Sequence, residues 1–139
     1  MKIIEREPVS ASKRGKAVFN NQDLEPHERE TVFCLNSFGF DVETIIPSSV
    51  PGSRNHDLLM LGTTWEMKGP KTPNRAKIQT KFRKAVKQSG GRAVFDLRNM
   101  RETDRAEAEE TIMKLFKTTR EMRRIIIIRN DERLVDILK

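Results

Sequence analysis

Two acidic residues and a lysine, Asp57, Glu66 and Lys68, lie close together in one short stretch of the sequence. Carboxylate oxygens are the ligands that hard divalent cations such as Mg²⁺ prefer, and Mg²⁺ keeps several waters and accepts phosphate oxygens beside them. An ammonium group next to such an ion can orient an attacking water or neutralise charge that develops on a phosphate. These residue types therefore indicate phosphate chemistry, provided that the fold brings them together.

The local pattern predicts how the fold does so. Residues 57–68 favour two short strands joined by a turn, with the first strand starting at its acidic residue. Side chains two apart on a strand point the same way, so Trp65 and Met67 share one face while Glu66 and Lys68 share the other. We therefore expect both carboxylates and the lysine to converge at one edge of a hairpin.

Charge distribution favours a polyanionic partner. The 139-residue chain has a net charge of +7, and Glu66 is the only acid between positions 66 and 92. A basic balance of this kind is typical of proteins that bind nucleic acid. The residues predicted to contact the phosphate backbone are Lys71, Arg75, Lys81, Arg83, Lys84 and Lys87.

Composition excludes several other classes of site. The only cysteine, Cys34, rules out an internal disulfide and a zinc site built from cysteines. Two histidines, His27 and His56, are too few for a histidine-rich metal site. No apolar run approaches the roughly 20 residues that span a bilayer. We predict a basic N-terminal segment or linker over residues 1–22 and a single folded domain over residues 23–139.

Periodicity and turn residues predict alternating helices and strands. Helices are expected over residues 23–38, 75–88 and 103–122. Strands are expected over residues 40–46, 57–68 (as the hairpin), 92–97, 124–129 and 134–138, and residues 2–4 are a further candidate for a short strand. The predicted fold class is therefore α/β (α+β), with a mixed central sheet of about four to six strands flanked by helices.

That order of elements, with these residues, resembles the PD-(D/E)xK nuclease superfamily and its restriction-endonuclease-like core. The superfamily motif is an acid at the start of one strand, followed on the next strand by an acid, any residue and a lysine. Here the match is Asp57 and then Glu66-Met67-Lys68, the only acid-x-Lys triplet in the chain. The position before the first acid is His56, where the motif name has proline. Within the superfamily, the stretches around Trp65, residues 84–88 and residues 94–98 are similar to the C-terminal tRNase toxin domains of contact-dependent growth inhibition proteins.

The resemblance implies a ribonuclease and assigns roles to individual residues. Asp57 and Glu66 would hold a divalent metal, with Mg²⁺ expected, and Lys68 would orient water or stabilise charge. Family members often add an acid from the first helix, and Glu28 is the expected position. The nuclease domain is then residues 23–139. RNA is the favoured substrate, with tRNA as a candidate.

Three alternatives stay open. A metal-independent RNase, of the group related to barnase, EndoU, colicin nucleases and RelE, needs no cofactor and makes His56 the obvious general base. A DNA endonuclease of the same superfamily uses the same residues on another substrate. A nucleic-acid-binding module without chemistry leaves Glu66 and Lys68 as an ion pair on a solvated face.

The same resemblance implies a partner and a place of action. The toxin domains that this chain resembles are held in check by a cognate immunity protein, expected here to be acidic because the chain is basic. The expected place of action is the cytoplasm of a target cell, after delivery as part of a larger secreted toxin.

Overall fold

The computed structural model describes residues 1–51 and 57–139. Within these ranges the chain forms eight strands, three α-helices and one 3-10 turn. The strands are β1 (Lys2–Arg6), β2 (Ala17–Phe19), β3 (Val42–Thr44), β4 (Leu58–Met60), β5 (Thr63–Lys68), β6 (Arg92–Asp96), β7 (Arg124–Asn130) and β8 (Arg133–Leu138). The helices are α1 (Pro26–Ser37), α2 (Arg75–Ser89) and α3 (Glu102–Thr118), and the 3-10 turn is Ala11–Lys13.

All the strands of the described residues form one mixed sheet, in the order β1-β8-β7-β6-β5-β4-β3-β2. The pairs β2–β3, β5–β6 and β6–β7 are parallel, and the others are antiparallel. The predicted mixed sheet flanked by helices is confirmed. The prediction of about four to six strands was too low, because the N-terminal residues contribute both edge strands.

Two segments within residues 1–22 belong to the sheet in the structure. β1 pairs with β8 over five residue pairs, from Lys2 opposite Leu138 to Arg6 opposite Leu134. β2 pairs with β3, and its first residue lies opposite Val42. The candidate strand at residues 2–4 is confirmed as part of β1. β2 was not predicted, because so short a strand depends on a partner distant in sequence. The division of the chain into a segment and a domain at residue 22 stays a prediction.

Two apolar cores lie on the two faces of the sheet. α2 and α3 pack on one face, where Phe82 and Phe116 meet alternate residues of β6 and β7 such as Ile125. α1 packs on the other face. There Leu35 and Trp65 share a core with the intervening residues of β6 and β7, such as Ile126. Four consecutive isoleucines in β7 are buried in alternation on both sides. This central strand is therefore covered on both faces, as its uninterrupted apolar run predicted.

Helix boundaries shift slightly from the sequence prediction. α1 begins at Pro26, because Glu25 is its N-cap and forms a reciprocal capping box with Glu28. α3 ends at Thr118 rather than at residue 122, and Met122 is buried in the core beyond its end. Among the described residues, no helix is long and apolar enough to cross a membrane.

Candidate active site

The candidate site is built on the β4–β5 hairpin. Asp57 directly precedes β4, and its N–H donates to the carbonyl of Trp65 at 3.1 Å. The turn between the strands contains Leu61 and Gly62, both with positive φ. Because the strands are antiparallel, the start of β4 lies beside the end of β5, where Glu66 and Lys68 are found. The hairpin therefore brings the sequence-predicted acids and lysine to one place.

Strand alternation on β5 follows the predicted pattern. Trp65 and Met67 are buried in the core beneath α1. Glu66 lies opposite Ala93 of β6, whose side chain belongs to the core beneath α2 and α3. Glu66 and Lys68 therefore face the side of the sheet that carries α2 and α3.

The carboxyl group of Asp57 takes part in two hydrogen bonds. Its Oδ2 accepts a hydrogen bond from the backbone N–H of Met67 at 2.8 Å. Its carboxyl group is also hydrogen-bonded to that of Glu66, so the two acids form a directly contacting pair. Two carboxylates this close repel each other when both are ionised, and the pair is most stable with a proton, or another cation, between them.

Glu66 is buried, with only 2% of its surface exposed. Its Oε2 lies 3.1 Å from Nζ of Lys68, and its Oε1 accepts a hydrogen bond from Oγ of Ser89 at 3.5 Å. Burial, followed by the neighbouring charge of Asp57, raises the pKa of Glu66 to about 7, although Lys68 opposes the shift. This group can therefore change its protonation state near neutral pH.

Ser89 is a site neighbour that sequence reasoning missed. It is the last residue of α2, is buried, and points its hydroxyl at Glu66. In the sequence it precedes Gly90 and Gly91 and is typical of a helix end. The signal that could have found it is helical spacing, because Phe82, Ala85 and Ser89 fall on the buried face of α2.

The structure leaves the predicted role of Glu28 as a prediction. Its Oε1 accepts the N–H of Glu25 at 3.0 Å, at the N-terminus of α1. In the described part of the chain, no group of three or more histidine, cysteine, aspartate or glutamate side chains is arranged to hold a metal ion. Asp57 and Glu66 therefore form a two-carboxylate site there. His56 lies outside the described residues.

The predicted basic residues divide between different surfaces. Lys81 and Lys84 line a cleft together with Lys68, on the side of the sheet that carries α2 and α3. Arg83 lines the groove between α2 and α3, and Arg75 lines a cavity at the start of α2. Lys71 precedes α2, and Lys87 is in its last turn. Only two of the six predicted nucleic-acid-binding residues thus line the cleft beside the hairpin.

A second buried acid lies at the end of β6. Asp96 is 3% exposed, and its Oδ2 accepts hydrogen bonds from Oγ1 of Thr31 at 2.6 Å and from Nη2 of Arg98 at 2.8 Å. Burial alone would raise the pKa of Asp96, but the hydrogen bonds from Arg98 and Thr31 outweigh it and hold the pKa below its usual range. The group stays ionised and ties α1 to the sheet. Nearby, burial raises the pKa of the Cys34 thiol to about 11, so this cysteine is inert.

Comparison with protein families decides where the chain belongs. Residues 54–134, more than half of the chain, match the model of the contact-dependent growth inhibition CdiA C-terminal domain. The chain belongs to this family. A CdiA C-terminal domain is a toxin domain, and it is delivered into target cells as part of a larger protein. The matched residues include Asp57, Glu66, Lys68 and all of α2.

A solved structure supports the fold of this CdiA C-terminal domain. It is described as "CdiA-CT/CdiI toxin and immunity complex from Burkholderia pseudomallei", and it aligns over 90% of this chain and 100% of that chain. The TM-score is 0.66 and the sequence identity is 17%, a level at which the likeness establishes the fold. A comparison with curated protein sequences finds no match.

Proposed function

We propose that this CdiA C-terminal domain is a ribonuclease toxin that hydrolyses phosphodiester bonds in the cytoplasm of a target cell. The observation that carries the proposal is the contact between the carboxyl groups of Asp57 and Glu66, with Lys68 3.1 Å from Glu66. The arrangement supports membership of the PD-(D/E)xK superfamily, whose motif these residues match. The preference for RNA, and for tRNA in particular, rests on the resemblance of the sequence to tRNase toxin domains.

The chemistry of the donor set fits a divalent cation. The carboxyl groups of Asp57 and Glu66 hydrogen-bond to each other, and both would hold a divalent cation, whose charge would offset the repulsion between them. Mg²⁺ needs only one or two protein carboxylates, because water and substrate phosphate complete its coordination. When bound there, Mg²⁺ would lower the pKa of its water and offset the charge of the phosphate. Glu28 remains the proposed third acid, acting through water, because it is not grouped with Asp57 and Glu66 in the described part of the chain.

The protein residues then have separate tasks. Asp57 and Glu66 would hold the divalent cation, whose charge would help to position the reacting phosphate. Lys68 lies against Glu66 on the same strand, so its ammonium group can orient the attacking water or stabilise charge on the phosphate. Ser89 holds the second oxygen of Glu66 and keeps the carboxylate in one orientation.

A cleavage assay tests the proposal. Purified total RNA and plasmid DNA are incubated with the protein, with Mg²⁺ and with excess EDTA. We expect RNA cleavage that needs Mg²⁺ and that Glu66→Gln and Lys68→Met each reduce by at least 100-fold. The matched control is Glu110→Gln, which removes one charge from an exposed pair with Lys114.

Each other outcome selects one of the alternatives. Full RNA cleavage in EDTA would reject the metal mechanism, and loss of that activity in His56→Ala would favour the metal-independent RNase. Cleavage of plasmid alone would reassign the substrate to DNA. Cleavage of neither, with RNA binding retained, would leave a binding module.

We further propose an acidic cognate immunity protein as partner. The similar structure from Burkholderia pseudomallei is described as a toxin and immunity complex, and the +7 charge of this chain favours an acidic protein. The test is co-purification with a small acidic protein encoded beside the toxin gene. Inhibition of RNA cleavage at one equivalent is expected, and a failure of that protein to bind would reject it as the partner.

A further inference from the structure

A cleft beside the hairpin is lined almost entirely by lysines. Its volume is about 250 Å³. The side chains that line it are Lys68, Lys77, Thr80, Lys81 and Lys84. Lys68 belongs to β5 and the others to α2, so the cleft lies between the strand that carries Glu66 and the helix that packs over it.

Three of the four lysines of this cleft, Lys77, Lys81 and Lys84, have no carboxylate partner in the described part of the chain, whereas Lys68 pairs with Glu66. Residues three or four apart share one face of a helix, so Lys77, Lys81 and Lys84 lie along one stripe and repel one another. In residues 1–51 and 57–139, carboxylate ion pairs involve Lys68 but none of these three lysines. Burial, followed by the charges of Lys68, Lys84 and Lys77, lowers the pKa of Lys81. The free protein therefore holds a positive cluster that an anion would stabilise.

We propose that this cleft binds a backbone phosphate of the nucleic acid, adjacent to the phosphate that is hydrolysed at Asp57, Glu66 and Lys68. The inference rests on the proposed function and goes beyond it, because it assigns a second phosphate to a defined set of lysines. The two sites adjoin, since Lys68 both lines the cleft and contacts Glu66. Compact ammonium groups suit a phosphate, which accepts hydrogen bonds from several directions.

The consequence is that the protein should prefer phosphodiester bonds that lie within a nucleic-acid strand. A substrate with a phosphate on the neighbouring nucleotide fills both sites, whereas a lone phosphodiester fills only the reacting one. Lys81, which is half-buried between the other lysines, is the residue whose charge the second phosphate needs most.

Anion binding tests the cleft without relying on cleavage. Inorganic pyrophosphate is titrated into the protein in EDTA at low salt, and heat is measured by calorimetry. We expect Lys81→Met to weaken binding at least tenfold, and Lys84→Met to weaken it several-fold. The matched control is Lys117→Met, which removes the same charge from an exposed lysine in the last turn of α3 and should change the affinity less than twofold.

Chemical modification provides a second measurement on the unaltered protein. Acetylation of lysines is followed by mass spectrometry with and without pyrophosphate. Protection of Lys77, Lys81 and Lys84, but not of Lys117, is expected. Equal pyrophosphate affinity of Lys81→Met and Lys117→Met, or equal acetylation of all four lysines with and without pyrophosphate, would overturn the inference. The lysine cluster would then be better explained as a binding surface for carboxylates of a protein partner.

A substrate comparison links the cleft to the reaction. The wild-type protein should cleave a dinucleotide that carries a terminal phosphate at least tenfold faster than the same dinucleotide without it, and Lys81→Met should lose the difference. Absence of all cleavage would count against the proposed function, while the pyrophosphate titration would still decide the inference. An unchanged preference in Lys81→Met would contradict it.

Discussion

The carboxyl group of Glu66 is hydrogen-bonded to that of Asp57, although nine positions separate them in the sequence and Glu66 is 2% exposed. Two acids in contact inside a protein oppose folding when both are ionised. The same contact gives the site its proposed affinity for a divalent cation. Function and stability therefore make opposite demands on this pair.

The stability of the protein should fall as pH rises through the range in which Glu66 titrates. The pKa of Glu66 is about 7 in the fold and 4.5 as its ordinary value, so between these values the folded state binds more protons than the unfolded state. Proton uptake by the folded state means that its stability decreases from pH 4.5 to 7 and then levels off. Glu66→Gln removes this loss and should gain about 3 kcal/mol at pH 8 relative to the wild type.

Urea unfolding in EDTA at pH 5 and pH 8 measures this difference. The gain from Glu66→Gln should be small at pH 5 and largest at pH 8. Glu110→Gln, at an exposed position, should show no such trend. A constant difference between wild type and Glu66→Gln at both pH values would mean that the pair does not titrate as described.

Asp57 combines a structural hydrogen bond with its proposed role in binding metal, and two substitutions separate them. Asp57→Asn keeps an oxygen that accepts the N–H of Met67, whereas Asp57→Ala leaves that donor unpaired. We expect Asn to abolish RNA cleavage without lowering the unfolding free energy, because it also removes the charge that opposes ionisation of Glu66. Ala should be about 1 kcal/mol less stable than Asn. Cleavage assays and urea unfolding of both variants check this, and an active Asp57→Asn would remove this residue from the mechanism.

Asp96 should contribute more to stability than Asp131, the exposed acid that pairs with the same arginine, Arg98. Asp96→Asn leaves Arg98 without its buried partner and should cost about 2–3 kcal/mol. Asp131 is the other partner of Arg98, and its side chain is 83% exposed. Asp131→Asn should therefore cost less than about 1 kcal/mol. Because the pKa of Asp96 is held below 3.8, its contribution is present above that pH and is lost as pH falls further. Urea unfolding of the two variants is the measurement, and equal costs would contradict the assignment.

Removal of residues 1–6 should destabilise the fold. These residues pair with β8, and Arg6 lies 3.0 Å from the fully buried Asp136, which also binds Arg124. The truncation leaves Asp136 with one arginine and exposes a strand edge, so we expect a loss of about 2–4 kcal/mol and more aggregation. Thermal unfolding and light scattering measure both effects.

The control for the truncation is Arg133→Ala, which breaks a pair with the 70% exposed Glu7 and should be nearly neutral. An equally stable truncated chain would show that β1 adds nothing to the sheet and would support the linker predicted from sequence.

Local patterns in the sequence were sufficient for much of the fold. Hydrophobic periodicity and turn residues predicted the three helices, the hairpin and the buried strand of four isoleucines, because each pattern is imposed by the local geometry of its own element. Alternation on β5 likewise predicted that Glu66 and Lys68 share a face opposite Trp65 and Met67. The resemblance of the stretches around Trp65, residues 84–88 and residues 94–98 to contact-dependent growth inhibition toxin domains is confirmed by the family comparison. The PD-(D/E)xK assignment that the acid-x-lysine triplet implies stays a prediction.

Other features depended on residues that meet only after folding. β2 is a strand because β3 lies beside it, and its own residues carry little strand signal. For β1, the sequence indicated only residues 2–4, and its full length depends on β8. The burial of Glu66, its contact with Ser89, the Thr31–Asp96–Arg98 cluster and the lysine cleft all join elements far apart in the chain. Sequence therefore determined which groups are available for chemistry, and tertiary structure decided their environment, because burial and charge proximity are properties of the packed chain alone.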